Sequence, residues 1–403
     1  MITKEINKEL SIYFHWPFCL SKCPYCDFMS VPAQPNEELF KLYGELLIKD
    51  LKQSLEQANF LSSQTKIKTI FFGGGTPSLM SAKSIENILD FIRTHYQLNN
   101  DDDIEISLEA NPATFDLQKM RDFKTAGINR ISLGVQSFSD KNLSFLGRIY
   151  NSKQVYDAAE IVASVFTNFS FDFMYGYKCQ KIDSLKKDLQ TAMDFNCKHI
   201  SCYQLTFENN TLFYKQLLSG EKQEISDEKG IQFYDFIENF LKDYNINRYE
   251  ISNYSVKNFE CKHNLCYWKY NDYLGIGSSA HGRLKINGNK YATEKIHDPC
   301  LWAEAINNSD NAYSVYYELT DHEKIEEMLI MGLRITDGIL WSDIYSEISK
   351  NSTDNNNVVD NLIDKNKLNF LERNNLIISD DKGIHLTKSG FLKINSVIEF
   401  LCS

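Results

Sequence analysis

Short runs of β-branched and aromatic residues alternate with segments of helical periodicity through the first half of the chain. Six runs have the length and composition of buried strands: residues 11–15, 67–72, 104–108, 130–133, 169–174 and 199–203. The intervals with helical spacing of apolar residues include 37–58, 82–96, 117–126, 154–166 and 184–195. This alternation predicts an α/β fold with a parallel sheet and helical crossovers, either an open, partial (β/α)6 TIM-like barrel or a doubly wound sheet.

The hydrophobic pattern changes after Phe213. Ser226 is placed to cap a helix that runs to about Tyr244. The last part of the chain has the element order of a small winged-helix-like α+β domain: a helix at 322–334, a polar run at 351–357, a hairpin at 376–379 and 383–386, and a final helix at 390–400. We predict three regions: a barrel at 1–215, a barrel extension and connecting segment at 216–320, and a C-terminal domain at 321–403.

The length, composition and net charge of the chain limit its possible classes of function. The chain has 403 residues, 43% of them hydrophobic, which is ample for two or three domains. A net charge of -11 argues against nucleic acid as a partner. No run of about 18 apolar residues occurs, so we expect no membrane span. A polar start and ten cysteines without a leader predict a cytoplasmic protein whose cysteines stay reduced or bind metal.

The distinctive residues follow the predicted strands. A cysteine loop follows the first strand, Gly73-Gly74-Gly75-Thr76-Pro77 the second, Glu109-Ala-Asn-Pro112 the third and Gly134-Val-Gln136-Ser137 the fourth, while Asp172 lies inside the fifth, near its end. Ligands of barrels and α/β sheets bind at the carboxyl ends of the strands. Turn chemistry alone explains the glycines, but it does not explain Glu109, Gln136 and Asp172 on the same rim.

Three cysteines carry the strongest chemical signal. Cys19, Cys23 and Cys26 have the spacing C-x3-C-x2-C. A [4Fe–4S] cube normally takes four thiolates, so three leave one iron open to a small molecule. The alternative is a zinc knuckle, which wants four ligands and usually two C-x2-C pairs, and no second pair lies nearby.

An open iron needs a chelator, and the amino and carboxylate groups of S-adenosylmethionine suit it. An electron from the cluster can then cleave the sulfonium and release a 5′-deoxyadenosyl radical. Arg148 offers a fork for a carboxylate, Asp172 can accept from ribose hydroxyls, and Glu109 or Gln136 can reach the ammonium group or the ribose. Alternatively, Arg148 is a surface arginine and Asp172 is a strand-end charge. Glu109 and Gln136 would then form hydrogen bonds within the barrel rim.

A second constellation is Cys261-Lys-His263-Asn-Leu-Cys266-Tyr267-Trp268. Imidazole and thiolate are both axial ligands of haem iron, and the two aromatic residues can line a flat face. The same residues could hold zinc, although a fourth ligand is not evident, or His263 could be structural.

Together these pieces resemble radical S-adenosylmethionine (radical SAM) proteins of the HemN/HemW family. The resemblance rests on C-x3-C-x2-C, Gly-Gly-Gly-Thr-Pro, Glu-Ala-Asn-Pro, Gly-Val-Gln-Ser-Phe, Leu146-Gly-Arg148 and Asp172-Phe-Met-Tyr-Gly176, and covers nearly the whole chain. It implies a radical SAM barrel, followed by the C-terminal domain of this family. It also implies a [4Fe–4S] cluster on the three cysteines and S-adenosylmethionine contacts at Tyr13, Gly74, Gly75, Thr76, Glu109, Gln136, Arg148 and Asp172.

Two branches of the family compete. Coproporphyrinogen III dehydrogenases carry a further cysteine two residues after the third, where this chain has Phe28. The His263-Asn-x-x-Tyr-Trp268 motif resembles the haem-chaperone branch, with His263 as the haem candidate. That branch implies a cytoplasmic protein that receives electrons for its cluster from a donor and delivers haem to respiratory proteins. Departures from the family pattern are Tyr150 in place of histidine, Tyr177-Lys178-Cys179 after Gly176, and Ser278-Ser279 before Ala280.

Overall fold

The computed structural model describes residues 8–60, 65–96, 104–309, 312–348 and 363–403. The strands are β1 Lys8–Trp16, β2 Phe18–Cys19, β3 Val31–Pro32, β4 Thr65–Gly74, β5 Glu105–Ala110, β6 Arg130–Gln136, β7 Phe169–Tyr175, β8 His199–Gln204, β9 Asn247–Arg248, β10 Asn253–Ser255, β11 Tyr273–Ile276, β12 His281–Ile286, β13 Asn289–Lys295, β14 Tyr313–Glu318, β15 Ile339–Leu340, β16 Ile377–Ser379 and β17 Gly383–Leu386.

The helices are α1 Glu37–Gln57, α2 Ala82–Tyr96, α3 Leu117–Ala126, α4 Asp140–Phe145, α5 Ser152–Val165, α6 Ile182–Asp194, α7 Leu212–Leu218, α8 Asp227–Lys242, α9 Lys262–Trp268, α10 Pro299–Asn307, α11 Asp321–Gly332, α12 Trp341–Glu347, α13 Lys365–Arg373, α14 Lys388–Phe391 and α15 Ile394–Cys402. Short 3-10 helices lie at Pro77–Leu79 and Pro112–Thr114. In the described part of the chain, no helix is long and apolar enough to cross a membrane.

The large sheet is built on consecutive parallel strands. Strands β1, β4, β5, β6, β7 and β8 lie side by side in chain order, each parallel to its neighbour. Consecutive parallel order with helical crossovers is the partial-barrel arrangement, so the predicted α/β fold and all six predicted strands are confirmed. Strand β11 adds to the free edge of β1 in parallel, and antiparallel strands extend both edges.

Among the described residues, two large hydrophobic clusters organise the interior, and a small third cluster that includes Leu146 and Phe213 packs against Tyr25 of the cysteine loop. The largest joins the barrel strands to the helices that cover them, including Leu47, Ile88 and Val162. The second large cluster gathers residues of the last 80 positions together with Tyr270, around the three-stranded sheet β15-β17-β16. This arrangement agrees with a C-terminal α+β unit, while the exact borders 1–215, 216–320 and 321–403 stay predictions.

Three details of the second half differ from the expected elements or go beyond them. The predicted final helix at 390–400 is two helices, α14 and α15, because Leu392 and Lys393 interrupt the helical backbone. The predicted connecting region 216–320 contains helix α9, which the sequence pattern did not predict. The polar run 351–357 lies outside the described residues, whereas the hairpin of β16 and β17 is confirmed.

Candidate functional site

The carboxyl half of the parallel strands encloses a cavity of about 450 Å³. Polar residues reach its wall because strand side chains alternate: Ser132, Gly134 and Gln136 of β6 face the cavity, whereas the residues between them belong to the hydrophobic core. Ten of the twelve predicted site residues line this single cavity, namely Cys19, Cys23, Cys26, Gly74, Gly75, Thr76, Glu109, Gln136, Arg148 and Asp172. The two that do not are Tyr13 and His263.

The cysteine loop is held at its base and its tip. Strands β2 and β3 pair across the base, with the Ala33 amide donating to the Cys19 carbonyl at 2.9 Å. The Cys26 amide donates to the Cys23 carbonyl at 3.1 Å, which closes the turn between those two ligand candidates. Phe213 ties the tip to helix α7 through a 2.8 Å bond to the carbonyl of Pro24. Backbone bonds at the base, the turn and the tip therefore fix the path of the loop.

The thiols suit a cluster better than a single ion. All three are free, and burial raises the pKa of both Cys19 and Cys26. Metal binding must then release protons from these thiols, since thiolates are the ligands. Among the described residues, no group of three or more His, Cys, Asp or Glu side chains converges on a point that could hold one metal ion. A cubane places each thiolate on a different iron, so its ligands need not converge.

The glycine run packs against the start of the cysteine loop. The Gly75 amide donates to the Trp16 carbonyl at 2.7 Å, and the Thr76 amide donates to the Phe18 carbonyl at 2.8 Å. A Cβ on Gly74 would lie 2.7 Å from the His15 ring, and the φ of Gly74 is +111°. The missing Cβ atoms of the glycine run therefore make room at least in part for the chain itself, which occupies that space.

Two carboxyl groups, Glu109 and Asp172, face the cavity, and in the described part of the chain no lysine forms an ion pair with either of them. Glu109 accepts from the Gly74 amide at 3.1 Å, and Asp172 accepts from the Ser132 hydroxyl at 2.7 Å. Burial, followed by the charge of Asp172, raises the pKa of Glu109 to about 8. Burial also raises the pKa of Asp172. A cavity with this pair favours a ligand that brings an amine and hydroxyl donors, which is the chemistry of S-adenosylmethionine.

Gln136 reaches the cavity through an unusual backbone. Its φ is +63°, in the left-handed region that costs a non-glycine residue energy. The register between β6 and β7 also shifts between Leu133 and Gln136. The irregularity ends the strand and leaves the Gln136 side chain on the cavity wall.

Arg148 is turned toward the cysteine loop. Its Nη1 donates to the Cys23 Sγ at 2.7 Å and to the Tyr25 hydroxyl at 3.1 Å, and its Nε donates to the Tyr150 hydroxyl at 2.8 Å. Tyr150 in turn donates to the Gly134 carbonyl at 2.7 Å. The departure at Tyr150 thus gives this chain a buried hydroxyl that positions the arginine.

We expect Tyr150→Phe to lower the free energy of unfolding by about 1–3 kcal/mol, because it leaves a buried carbonyl and the Arg148 Nε without their partner. Urea denaturation of the two proteins measures the difference. Tyr156→Phe is the matched control, since Tyr156 is 42% exposed and its hydroxyl lies 3.4 Å from Thr191. Equal losses in both variants would contradict the positioning role of Tyr150.

Tyr13 lies beneath the glycine run rather than on the cavity wall. A Cβ on Gly73 would meet the Tyr13 ring at 2.8 Å. The Tyr13 hydroxyl hydrogen-bonds to His15 Nδ1 at 3.1 Å, and His15 Nε2 bonds to the Met29 carbonyl at 3.0 Å. This chain of contacts joins β1 to the cysteine loop, and the role of Tyr13 as an S-adenosylmethionine contact stays a prediction.

His263 occupies the opposite, amino-terminal end of the barrel. It is 1% exposed, and its ring nitrogens contact the Thr69 and Tyr267 hydroxyls at 2.6 Å each. Glu105 accepts from the His263 amide at 3.1 Å and so holds the first turn of α9. Burial lowers the pKa of His263 to about 3, so the imidazole is neutral. The structure places this side chain in helix packing, and its role toward haem stays a prediction.

Sequence reasoning missed the deep end of the cavity. Arg130, His199 and Asn253 line it, and all three are buried. Arg130 begins β6 with its Nε 3.9 Å from Glu105, and His199 Nε2 bonds to the Tyr249 hydroxyl at 2.8 Å. The available signal was strand alternation, which puts Arg130 on the same face as Ser132 and Gln136.

Two sequence families match the chain. The Radical SAM superfamily matches residues 13–192, and the HemN C-terminal domain matches residues 319–392. The first match contains the cysteine loop and every cavity residue assigned to S-adenosylmethionine.

Curated relatives and a solved structure extend the likeness over the full chain. The heme chaperone HemW of Buchnera aphidicola (subspecies Acyrthosiphon pisum) is 36% identical, with 97% of both chains covered. HemW of Escherichia coli K12 is 37% identical over 72% of this chain and 74% of its own. The solved structure of Escherichia coli coproporphyrinogen III oxidase (HemN), a radical SAM enzyme, matches with a TM-score of 0.78 at 19% identity, covering 98% of this chain and 91% of that one. That structural match supports the fold.

Proposed function

This chain belongs to the HemW family within the radical SAM superfamily, and on that premise we propose that it is a haem chaperone. In this proposal it is a cytoplasmic protein that binds haem, a [4Fe–4S] cluster and S-adenosylmethionine. It delivers haem to respiratory haem proteins. The observation that carries the proposal is the 36% identity to a heme chaperone over 97% of both chains.

Each group has proposed residues. Cys19, Cys23 and Cys26 hold the cluster, which when bound supplies an electron to S-adenosylmethionine. Glu109 and Gln136 take the amino end of S-adenosylmethionine, and Asp172 takes the ribose. Arg148 reaches the carboxylate end after releasing the Cys23 thiol. All seven of these residues line one cavity, which supports a joint site.

Coproporphyrinogen III dehydrogenase is the alternative. This chain has Phe28 at the place of the fourth cysteine, and Phe28 is 63% exposed beside the cavity. Anaerobic reconstitution of the cluster, followed by addition of haem or of coproporphyrinogen III with S-adenosylmethionine, separates the two functions. We expect stoichiometric haem uptake and no vinyl product. Decarboxylation of the propionates without haem uptake would overturn the chaperone proposal.

We expect His263→Ala to weaken haem uptake and to lower stability, because His263 bridges Thr69 and Tyr267 beneath α9. Haem titration followed by its Soret band, together with urea denaturation, measures both effects. His281→Ala is the control, since the His281 side chain is 58% exposed. Unchanged haem affinity and stoichiometry in a destabilised His263→Ala protein would remove His263 from the haem site.

A further inference from the structure

Helix α9 has an inner face that packs on the barrel and an outer side bordered by two hollows. The first hollow, of about 530 Å³, lies at the amino ends of β1 and β4 and continues along α9 to Tyr270. The second, of about 340 Å³, lies between the end of α9 and the helices and strand of the C-terminal unit. The two hollows share Lys269 and Tyr270 in their walls and therefore adjoin, and together they are called the groove. Both volumes are within the range of about 300–1,000 Å³ typical of ligand pockets.

The first hollow, here called the basic half, is rich in lysine. Six lysines and three acidic residues line it, on a chain whose net charge is -11. Lys68 pairs with Glu9 at 3.0 Å, Lys285 with Glu347 at 2.8 Å and Lys290 with Asp272 at 2.7 Å. These pairs account for all three acids.

Two exposed lysines of the basic half remain available for an anionic ligand. Lys66 and Lys269 are both exposed, and within the described ranges neither has an acidic partner at ion-pair distance. A ligand that carries carboxylates would therefore meet uncompensated positive charge here.

The second hollow, here called the apolar half, is lined mainly by Trp268, Met328, Ile335, Ile339 and Leu340, and its two acidic residues are Asp337 and Asp343. Leu340 is 46% exposed, and the Trp268 indole Nε1 is buried without a hydrogen-bond partner. An exposed apolar surface beside aromatic residues is typical of a site that receives a ligand.

We propose that this groove is the seat of haem, with the macrocycle on the apolar half and the propionates at Lys66 and Lys269. The proposal rests on the haem-chaperone function and specifies where that function resides. Haem combines a flat apolar ring with two carboxylates at one edge, and the groove joins an apolar wall to unpaired lysines. His263 then acts as a positioning residue, because it anchors α9 from inside. The haem seat and the cysteine loop lie at opposite ends of the barrel.

The charge contribution is tested with the double variant Lys66→Glu/Lys269→Glu of the full chain. Fluorescence or Soret titrations at low salt compare haem with haem dimethyl ester, which has the same ring without the carboxylates. We expect the unmodified protein to prefer haem over the ester about tenfold, and the double variant to lose that preference. The control Lys153→Glu/Lys187→Glu makes the same charge change on exposed positions of α5 and α6 and should keep it.

The apolar contribution is tested with Leu340→Glu, which should weaken haem and the ester alike. Ile378→Glu is its control, because Ile378 is 45% exposed and lies outside the groove. If the lysine variant kept its full preference for haem, or if Leu340→Glu kept its affinity, the groove would be excluded as the haem site. The haem-chaperone function itself would stand. If the unmodified protein binds neither compound, the haem-chaperone function itself fails.

Discussion

Replacing Cys19, Cys23 and Cys26 together by serine abolishes the iron–sulfur cluster. Each of the three thiolates is expected to hold one iron of the cube, so the reconstituted variant should fall from about four iron and four sulfide per chain to near zero. Iron and sulfide analysis after anaerobic reconstitution, with the visible absorbance of the cluster, measures this.

Two controls make the cluster result specific. Cys179→Ser/Cys300→Ser removes two exposed thiols elsewhere and should reconstitute as fully as the unmodified chain. Near-ultraviolet circular dichroism checks that the triple variant keeps its fold, which we expect because the loop is held by backbone bonds such as Ala33 to Cys19. A triple variant that bound the full complement of iron and sulfide would remove the foundation of the proposed cofactor site.

Glu109→Gln is expected to reduce the affinity for S-adenosylmethionine by about 10- to 100-fold. The ammonium group of this ligand would lose a charge-assisted hydrogen bond, which contributes about 1.5–3 kcal/mol. Isothermal titration of the reconstituted protein measures the affinity. Asp90→Asn, on the exposed side of α2, is the control and should bind normally.

The affinity for S-adenosylmethionine should also depend on pH through Glu109. The pKa of Glu109 is about 8 in the ligand-free protein, so the group is mostly protonated at pH 7. An ammonium ligand favours the ionised carboxylate, and binding should release a proton and strengthen as pH rises toward 8. Above that pH the α-amino group of the ligand loses its own proton, which opposes further gain. In Glu109→Gln the affinity should not rise with pH. An identical rise in both proteins would exclude Glu109 as its source.

The same group affects stability with the opposite sign. The raised pKa means that the folded protein holds a proton that the unfolded chain loses above pH 4.5. Stability of the ligand-free protein should therefore fall as pH rises from about 4.5 to 8. The melting temperature of Glu109→Gln should exceed that of the unmodified protein more at pH 8 than at pH 5.

The cysteine loop and the polar rim were predictable from the sequence, and His263 shows where such prediction stops. The motif around His263 indicated a ligand because histidine stands among two cysteines and two aromatic residues. In the fold, Thr69 and Tyr267 occupy its ring nitrogens and α9 turns it inward. The outer side of the same helix borders a groove with unpaired lysines, which no spacing along the chain reveals.

Arg148, at the other end of the barrel, was likewise only partly predictable from the sequence. Its identity and its place after Leu146-Gly147 are visible in the sequence, whereas its contacts with Cys23 and Tyr25 join two segments that are far apart in the chain.

The sequence by itself determined the strand–helix alternation, the parallel sheet and the polar positions near the strand ends. These follow from side-chain period and turn chemistry, which act over a few residues. The choice between a partial barrel and a doubly wound sheet was settled by the consecutive strand order of the structure. Only the tertiary structure decided that Glu109 and Asp172 share one desolvated cavity, that the glycine run packs on the cysteine loop, and which face of α9 is open. Burial and charge depend on the elements packed around a group, and the sequence around that group does not specify them.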